Sequence, residues 1–501
     1  MSDFIVNFCF DVLEDSRLPV VVGTTLVGVL TLYVGHKVYT RQQFKRKVRR
    51  KNEERQKTLQ DVLRSLLTDD KEVETKRKEI ISLTLPQLSQ QLKDGQLSAV
   101  QVLQAYQEKA FAVHDDINCV TEPIPDALVR AEELDRAGQR SGLLYGVPVS
   151  IKDNINIKGM ANTLGLVKYL ENYAEEDSVI VRVLMKQGAV PFVKTNVPQA
   201  MMDLTFFNSI SCSNPLFGTT LNPHDHTRSP GGSSSGEGAL IGGGGSILGI
   251  GNDIAGSIRI PAHFCGICGF KPTANRLSKQ GYLNCSPGQQ GVIGTCGPMA
   301  RDVDSLVLVM KALLVPDMFQ LDPLVPPIPF RHEIYESKKP LKIGYILDWE
   351  LQLATPAITR AVEITKEALE KAGHETIQDY VREFLDAWEE ADIDVLLCPA
   401  TPIPAFKVEG VSALSETTLY TFIFNLLNFP AGVVPVTKVT EEDDRLLDDY
   451  IGSNNDIFDR YVRQATKGAV GMPVAVQCVA LPWQEEACLR LMKEVETVFK
   501  L

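Results

Sequence analysis

Apolar residues recur along this chain in two patterns, and their alternation sets the architecture. Short apolar runs fall at 147–151, 189–193, 341–346 and 395–398. Runs of that length predict strands buried on both faces. Between them lie amphipathic stretches with helix signals at their ends. Ser98-Ala99-Val100-Gln101 forms a capping box and opens a helix through Val113. Positions 126–137 predict another helix, stopped at Gly138. No internal repeat interrupts the alternation. Helices alternating with buried strands predict an α/β domain whose sheet is covered on both faces.

The N-terminal positions follow neither pattern. Residues 18–35 read LPVVVGTTLVGVLTLYVG, without a charge, and Val38 and Tyr39 lie just beyond. A run of about 20 apolar residues is what a bilayer span needs. Asp3, Asp11, Glu14 and Asp15 precede it, with Arg17 alone opposing them, and Lys37, Arg41, Lys45, Arg46, Lys47, Arg49, Arg50 and Lys51 follow it. A secretory signal peptide has the reverse order. Positive charge stays on the cytoplasmic side of a membrane and can also hold anionic headgroups. The expectation is a single uncleaved anchor in residues 1–40, with its span at 18–38. A charged helical connector over 41–80 and a cytoplasmic main domain over 81–501 would follow.

Composition narrows the function. The chain has 501 residues, 44% of them hydrophobic, and a net charge of -12, which argues against a general nucleic-acid binder. Its ten cysteines are scattered. Cys265 and Cys268 are the nearest to a metal spacing, but Phe264 and Ile267 around them suggest packing, so reduced thiols and no zinc are expected. His224 and His226 have no third ligand nearby, so no metal is expected there either.

The densest chemical signal is at 231–261, GGSSSGEGALIGGGGSILGIGNDIAGSIRIP. Glycines at this density let backbone N–H groups face a bound group, and Ser233 and Ser257 beside them suggest nucleophilic attack with an oxyanion hole. A flexible linker would not need Leu240, Ile241, Leu248 or Ile250. No phosphate-loop motif is complete here. Residues 232–236 do match GxSxG, but that motif must follow a buried strand, and 222–230 is polar and broken by proline. No histidine downstream of Ser257 sits in a triad context. A lysine does offer itself. In Gly146-Val147-Pro148-Val149-Ser150-Ile151-Lys152-Asp153, strand alternation puts Ser150 and Lys152 on one face. A buried lysine can lose its proton and act as a base, whereas most lysines reach out to solvent; the spacing leaves both open.

Three elements in order, GVPVSIKD, the serine-rich stretch, and the GxDxxGSIRxP pattern from Gly251 to Pro261, resemble the amidase signature family. Residues 212–218, 429–436 and 481–486 extend the likeness to its fatty-acid-amide branch over nearly the whole chain. The resemblance implies a mixed, twisted sheet between helices and a Ser-Ser-Lys mechanism without metal or organic cofactor. Ser257 would be the nucleophile, Ser233 the proton bridge and Lys152 the base. The N–H groups of Ile254, Ala255, Gly256 and Ser257 would form the oxyanion hole, with Asp253 and Arg259 supporting it. Met201 would line the site, and Thr421 and Trp483 would lie near the acyl channel. The implied function is hydrolysis of acyl ethanolamides and primary fatty amides to acid and amine, by a homodimer anchored in the endoplasmic reticulum.

This chain departs from that branch at three places. Ala255 replaces a glycine, residues 202–208 include an insertion, and Gly373-His374-Glu375 leads almost directly to 394–397. The last departure omits several tens of residues, including an apolar cap that touches the membrane and lines the acyl route. Weaker lipid access is therefore expected. An inactive variant and an amidase for polar amides are the alternative readings.

Overall fold

The computed structural model describes residues 18–202, 212–285, 288, 291–349, 352–378, 388, 392–408 and 415–499. The inserted residues from Asp203 onward and the acidic N-terminal residues lie outside that set. The chain divides into two compact units, 1–54 and 55–501.

Helix α1 (Leu18–Leu66) runs unbroken through position 40, where the sequence suggested a change from anchor to connector. Its apolar side chains from Val27 to Tyr39 face solvent, Val27 at 64% and Leu32 at 76% exposure. Arg49 and Glu53 form an i,i+4 pair at 2.7 Å further along. Among the described residues no helix is long and apolar enough to cross a membrane. The expected span is thus not supported by the described residues. Helix α2 (Lys71–Ser82) follows, capped by Asp70.

The second unit is built on an eleven-stranded sheet. In chain order its strands are β1 (Val120–Pro123), β2 (Pro148–Lys152), β3 (Val190–Thr195), β4 (Leu248–Asp253), β5 (Cys268–Lys271), β6 (Thr295–Ala300), β7 (Lys342–Tyr345), β8 (Glu375–Gln378), β9 (Val395–Pro399), β10 (Ala431–Lys438) and β11 (Pro473–Val479). They lie side by side as β1-β3-β2-β4-β6-β5-β10-β11-β9-β7-β8. The sheet is mixed. β3, β2 and β4 run parallel, as do β9, β7 and β8, and the central pairs are antiparallel. All four predicted apolar runs are strands of this sheet. Helix α3 (Ala99–Ile117) carries the expected box, with Ser98 and Gln101 capping reciprocally, and runs one turn beyond Val113 to a left-handed Asn118. Helix α4 (Ala127–Ala137) ends at Gly138, whose φ of 69° suits glycine.

Two shorter helices place the serine stretch: α5 (Ser235–Gly242) and α6 (Arg259–Cys265), both buried. Helices α7 (Leu419–Leu426) and α8 (Glu485–Phe499) complete the elements around the site. β2 and β4 are parallel neighbours, pairing Ser150 with Gly249 and Ile151 with Ile250. Their carboxyl ends, Lys152 and Asp253, therefore emerge at the same edge of the sheet, where open α/β sheets place their ligands.

Candidate active site

Every residue of β2 is buried, because the strand is central and covered on both faces. Lys152 has no exposed surface, so it does not reach for solvent as an ordinary lysine would. Its Nζ lies 2.8 Å from Ser233 Oγ. The same nitrogen meets Asn252 Oδ1 and, at 3.4 Å, the Asn252 carbonyl. Burial lowers the Lys152 ammonium from 10.5 to about 7, against the opposing pull of Asp253 and Glu237. Such an amine is half neutral near physiological pH and can accept a proton.

The two serine sites come together. Ser233 lies in the loop before α5, and Ser257 lies in the loop between β4 and α6. The Ser234 amide donates to the Ser257 carbonyl at 3.0 Å, which ties the loops to each other. No strand precedes Ser233, which removes the GxSxG reading.

The loop 254–257 is fixed from below. Asp253 accepts from the amides of Gly256 at 2.7 Å and Ile258 at 3.0 Å, and from Arg259 Nε at 3.0 Å and Nη2 at 2.9 Å. Burial alone would raise the Asp253 carboxyl, but the Arg259 guanidinium reverses this and holds it well below the usual carboxylate range. Arg259 also donates to the Thr421 carbonyl at 2.9 Å, Gln477 Oε1 at 2.8 Å and Asn425 Oδ1 at 2.5 Å. Thr421 Oγ1 donates in turn to the Ala255 carbonyl at 2.8 Å. The peptide joining Ala255 to Gly256 is thus held at both ends, its oxygen by Thr421 and its N–H by Asp253. Gly256 therefore has its N–H engaged, while the amides of Ile254, Ala255 and Ser257 have no acceptor among the described residues. Ala255 does not adopt a left-handed conformation, so its methyl in place of a glycine hydrogen adds no backbone strain. Gly256 does require glycine, with φ of 113° and no room for a Cβ beside Thr421.

Removing Arg259 would leave a buried, unpaired carboxylate. Arg259→Met is expected to destabilise the fold by about 3–5 kcal/mol, because a broken buried pair keeps its desolvation cost. Urea unfolding of the variant measures this, and a loss under about 1 kcal/mol would contradict the pinning described.

A cavity of about 570 Å³ opens over this loop, within the usual range for small-molecule sites. Ser233, Asn252, Ile254, Ala255 and Ser257 form one wall, and Met201, Met202, Leu283, Val292, Ile293 and Phe422 supply apolar surface. Met201, expected from the resemblance to line the site, is among the cavity residues. Thr421 does not line the cavity and instead holds the Ala255 carbonyl of the 254–257 loop, while its neighbour Phe422 lines the cavity. Trp483 is also absent from the lining. Its amide donates to Thr273 Oγ1 at 2.9 Å and its carbonyl accepts from Arg331. Asn252 and Phe422 escaped the sequence reading. Asn252 had a signal, standing between Gly251 and Asp253 in the motif, whereas Phe422 is one of several apolar residues on α7. His224 bonds the Cys265 carbonyl at 2.9 Å and His226 meets Asp116 at 3.2 Å, so the two rings serve different loop ties.

Comparisons with known proteins agree with this geometry. The family described as Amidase matches residues 101–379 and 375–489. The two matched stretches meet where the sequence suggested missing residues. Fatty-acid amide hydrolase 1 of Sus scrofa is 41% identical over 507 residues, covering 83% of this chain and 86% of that protein. That alignment is longer than this whole chain, so the relative carries residues that this one lacks. Fatty acid amide hydrolase 1 of Caenorhabditis elegans is 34% identical, covering 85% of this chain and 90% of its own. A solved structure of fatty acid amide hydrolase superposes with a TM-score of 0.79 at 25% identity, covering 91% of this chain and 95% of that one. The chain belongs to the amidase family, the C–N bond hydrolases whose fold and motifs it carries from Gln101 to Leu489.

Proposed function

We propose that this amidase hydrolyses fatty-acid amides, such as acyl ethanolamides and primary fatty amides, by a Ser-Ser-Lys relay. The observation that carries the reading is the 2.8 Å approach of a fully buried Lys152 Nζ to Ser233 Oγ at the wall of a cavity shared with Ser257. Ser257 Oγ attacks the amide carbon and passes its proton to Ser233, whose own proton moves to Lys152. The oxyanion faces the free amides of Ile254, Ala255 and Ser257, each such donor contributing about 3–4 kcal/mol in comparable sites. Lys152 returns the proton through Ser233 to the nitrogen, the C–N bond breaks, and an ester remains on Ser257. Water, deprotonated along the same route, releases the acid and restores the Ser257 hydroxyl. No metal or organic cofactor enters these steps.

Because the base must be neutral, kcat/KM should rise with pH through about 7 and level off above it. A limb that kept climbing past pH 9 would mean an ordinary lysine.

The fatty substrate is supported by the apolar cavity residues and by the activity named in the relatives. An acyl series tests it. Each buried methylene is worth about 0.8 kcal/mol, so kcat/KM should rise up to about fourfold per methylene until the cavity is filled. The short connection after Gly373 should make the slope shallower than that limit. A flat series would favour an amidase for polar amides.

Membrane attachment by the N-terminal segment belongs to the same proposal. It rests on the uncharged run at 18–35, the solvent-facing apolar side chains from Val27 to Tyr39 and the basic residues after them. The catalytic unit would lie on the cytoplasmic face of an endomembrane, as the charge order favours. Carbonate extraction should leave the full chain in the pellet, and release into the supernatant would remove this part of the reading.

A further inference from the structure

Glu237 takes no part in the relay just described, yet two hydroxyls beside Lys152 hold its carboxylate. It lies in the first turn of α5 and has no exposed surface. Its Oε2 accepts from Ser150 Oγ at 2.5 Å, and its Oε1 accepts from Thr195 Oγ1 at 2.8 Å. Both donors flank Lys152. Ser150 is two residues earlier on the same face of β2, and Thr195 is the residue paired with Lys152 across the β2–β3 register. Room for the carboxylate comes from Gly249, which pairs with Ser150 from β4: a Cβ there would collide with Glu237 Oε2.

A buried acid held by two neutral hydroxyls is a costly way to fill space. Burial pushes the Glu237 carboxyl up to about 7, while the Ser150 and Thr195 hydroxyls and the nearby Lys152 oppose the rise. The other groups facing Lys152 are Asp253 from β4 together with Cys285 and Cys212, and Cys119 faces Glu237. Asp253 is committed to Arg259, and burial raises the thiols of Cys119 and Cys212, which stay neutral. Glu237 is therefore a neighbour whose charge acts on Lys152 and is acted on by it.

We infer that Glu237 is a positioning residue for Lys152: bridged between Ser150 and Thr195, its carboxylate sets how readily the lysine amine gives up its proton. The inference rests on the reading of Lys152 as the base. An ionised Glu237 favours the ammonium, so removing that charge makes Lys152 neutral at lower pH. Gln preserves the shape and leaves an acceptor for one hydroxyl.

The test is the pH dependence of the labelling rate of the full chain by a serine-reactive fluorophosphonate. The unmodified protein should show a lower limb near pH 7. Glu237→Gln should move that limb about one unit to the acid side, so that labelling at pH 6 rises several-fold relative to pH 8.5. Thr195→Val and Ser150→Ala should move it the same way by less, since each takes a hydrogen bond from the ionised carboxylate; they also serve if Glu237→Gln does not fold. Folded variants that label more slowly with the limb unmoved would overturn the inference and leave Glu237 a packing residue. Lys152→Met separates the two claims. If the limb vanishes in Lys152→Met but stays put in Glu237→Gln, only this inference fails. If the limb survives in Lys152→Met, the base assignment itself fails.

Discussion

Ser257→Ala should reduce amide turnover by on the order of 10⁶-fold, the loss seen when a serine nucleophile is removed from a working relay. The expected size follows from position. Ser257 is only 8% exposed, lines the cavity and adjoins amides with no other acceptor. Among the described residues no second hydroxyl shares all three properties. Ser233 also lines the cavity, but its oxygen is taken up with Lys152 Nζ at 2.8 Å. The variant should stay folded, because losing one hydroxyl at the cavity wall opens no void in the core. Turnover of a fatty amide by purified protein, with thermal unfolding as control, measures it. Residual activity within a hundredfold of the parent would place the nucleophile elsewhere.

Lys152→Ala should produce the second largest loss, and the loss should depend on the leaving group. General acid and base steps are typically worth about 10²–10⁴-fold. An amine leaves poorly unless protonated, and in the proposed relay Lys152 supplies that proton through Ser233. An ester of the same acyl chain releases an alkoxide that needs the proton less. Amide turnover should therefore fall well beyond ester turnover, and the limb near pH 7 should disappear from both profiles. Equal losses on the matched pair would argue that Lys152 supports the loop rather than moving protons.

Much of this was legible in the chain. The four largely apolar runs became β2, β3, β7 and β9, as expected of strands inside a covered sheet, although β2 also buries Ser150 and Lys152. The strands β4 and β6 gave weaker signals, because Gly249, Gly251 and Gly297 replace the β-branched residues that usually mark a strand. Lys152 could be placed on the Ser150 face from spacing alone. Whether it was buried could not, because that depends on α5 and the serine loop closing over β2. The support given by Thr421 was invisible for a similar reason: the Arg259 guanidinium joins residues more than 160 positions apart. Trp483 could not be placed from the sequence, because an aromatic near a motif reads equally as lining or as packing. The transmembrane expectation rested on hydropathy, and no described helix is long and apolar enough to support it.

The account stands most directly on where a covalent bond forms. The full chain, treated at pH 8 with a fluorophosphonate and digested, should carry one adduct, on the peptide containing Ser257. Lys152→Ala should slow its formation without moving it. An adduct on Ser233 or Ser234, undiminished in Ser257→Ala, would contradict the relay and reassign the nucleophile.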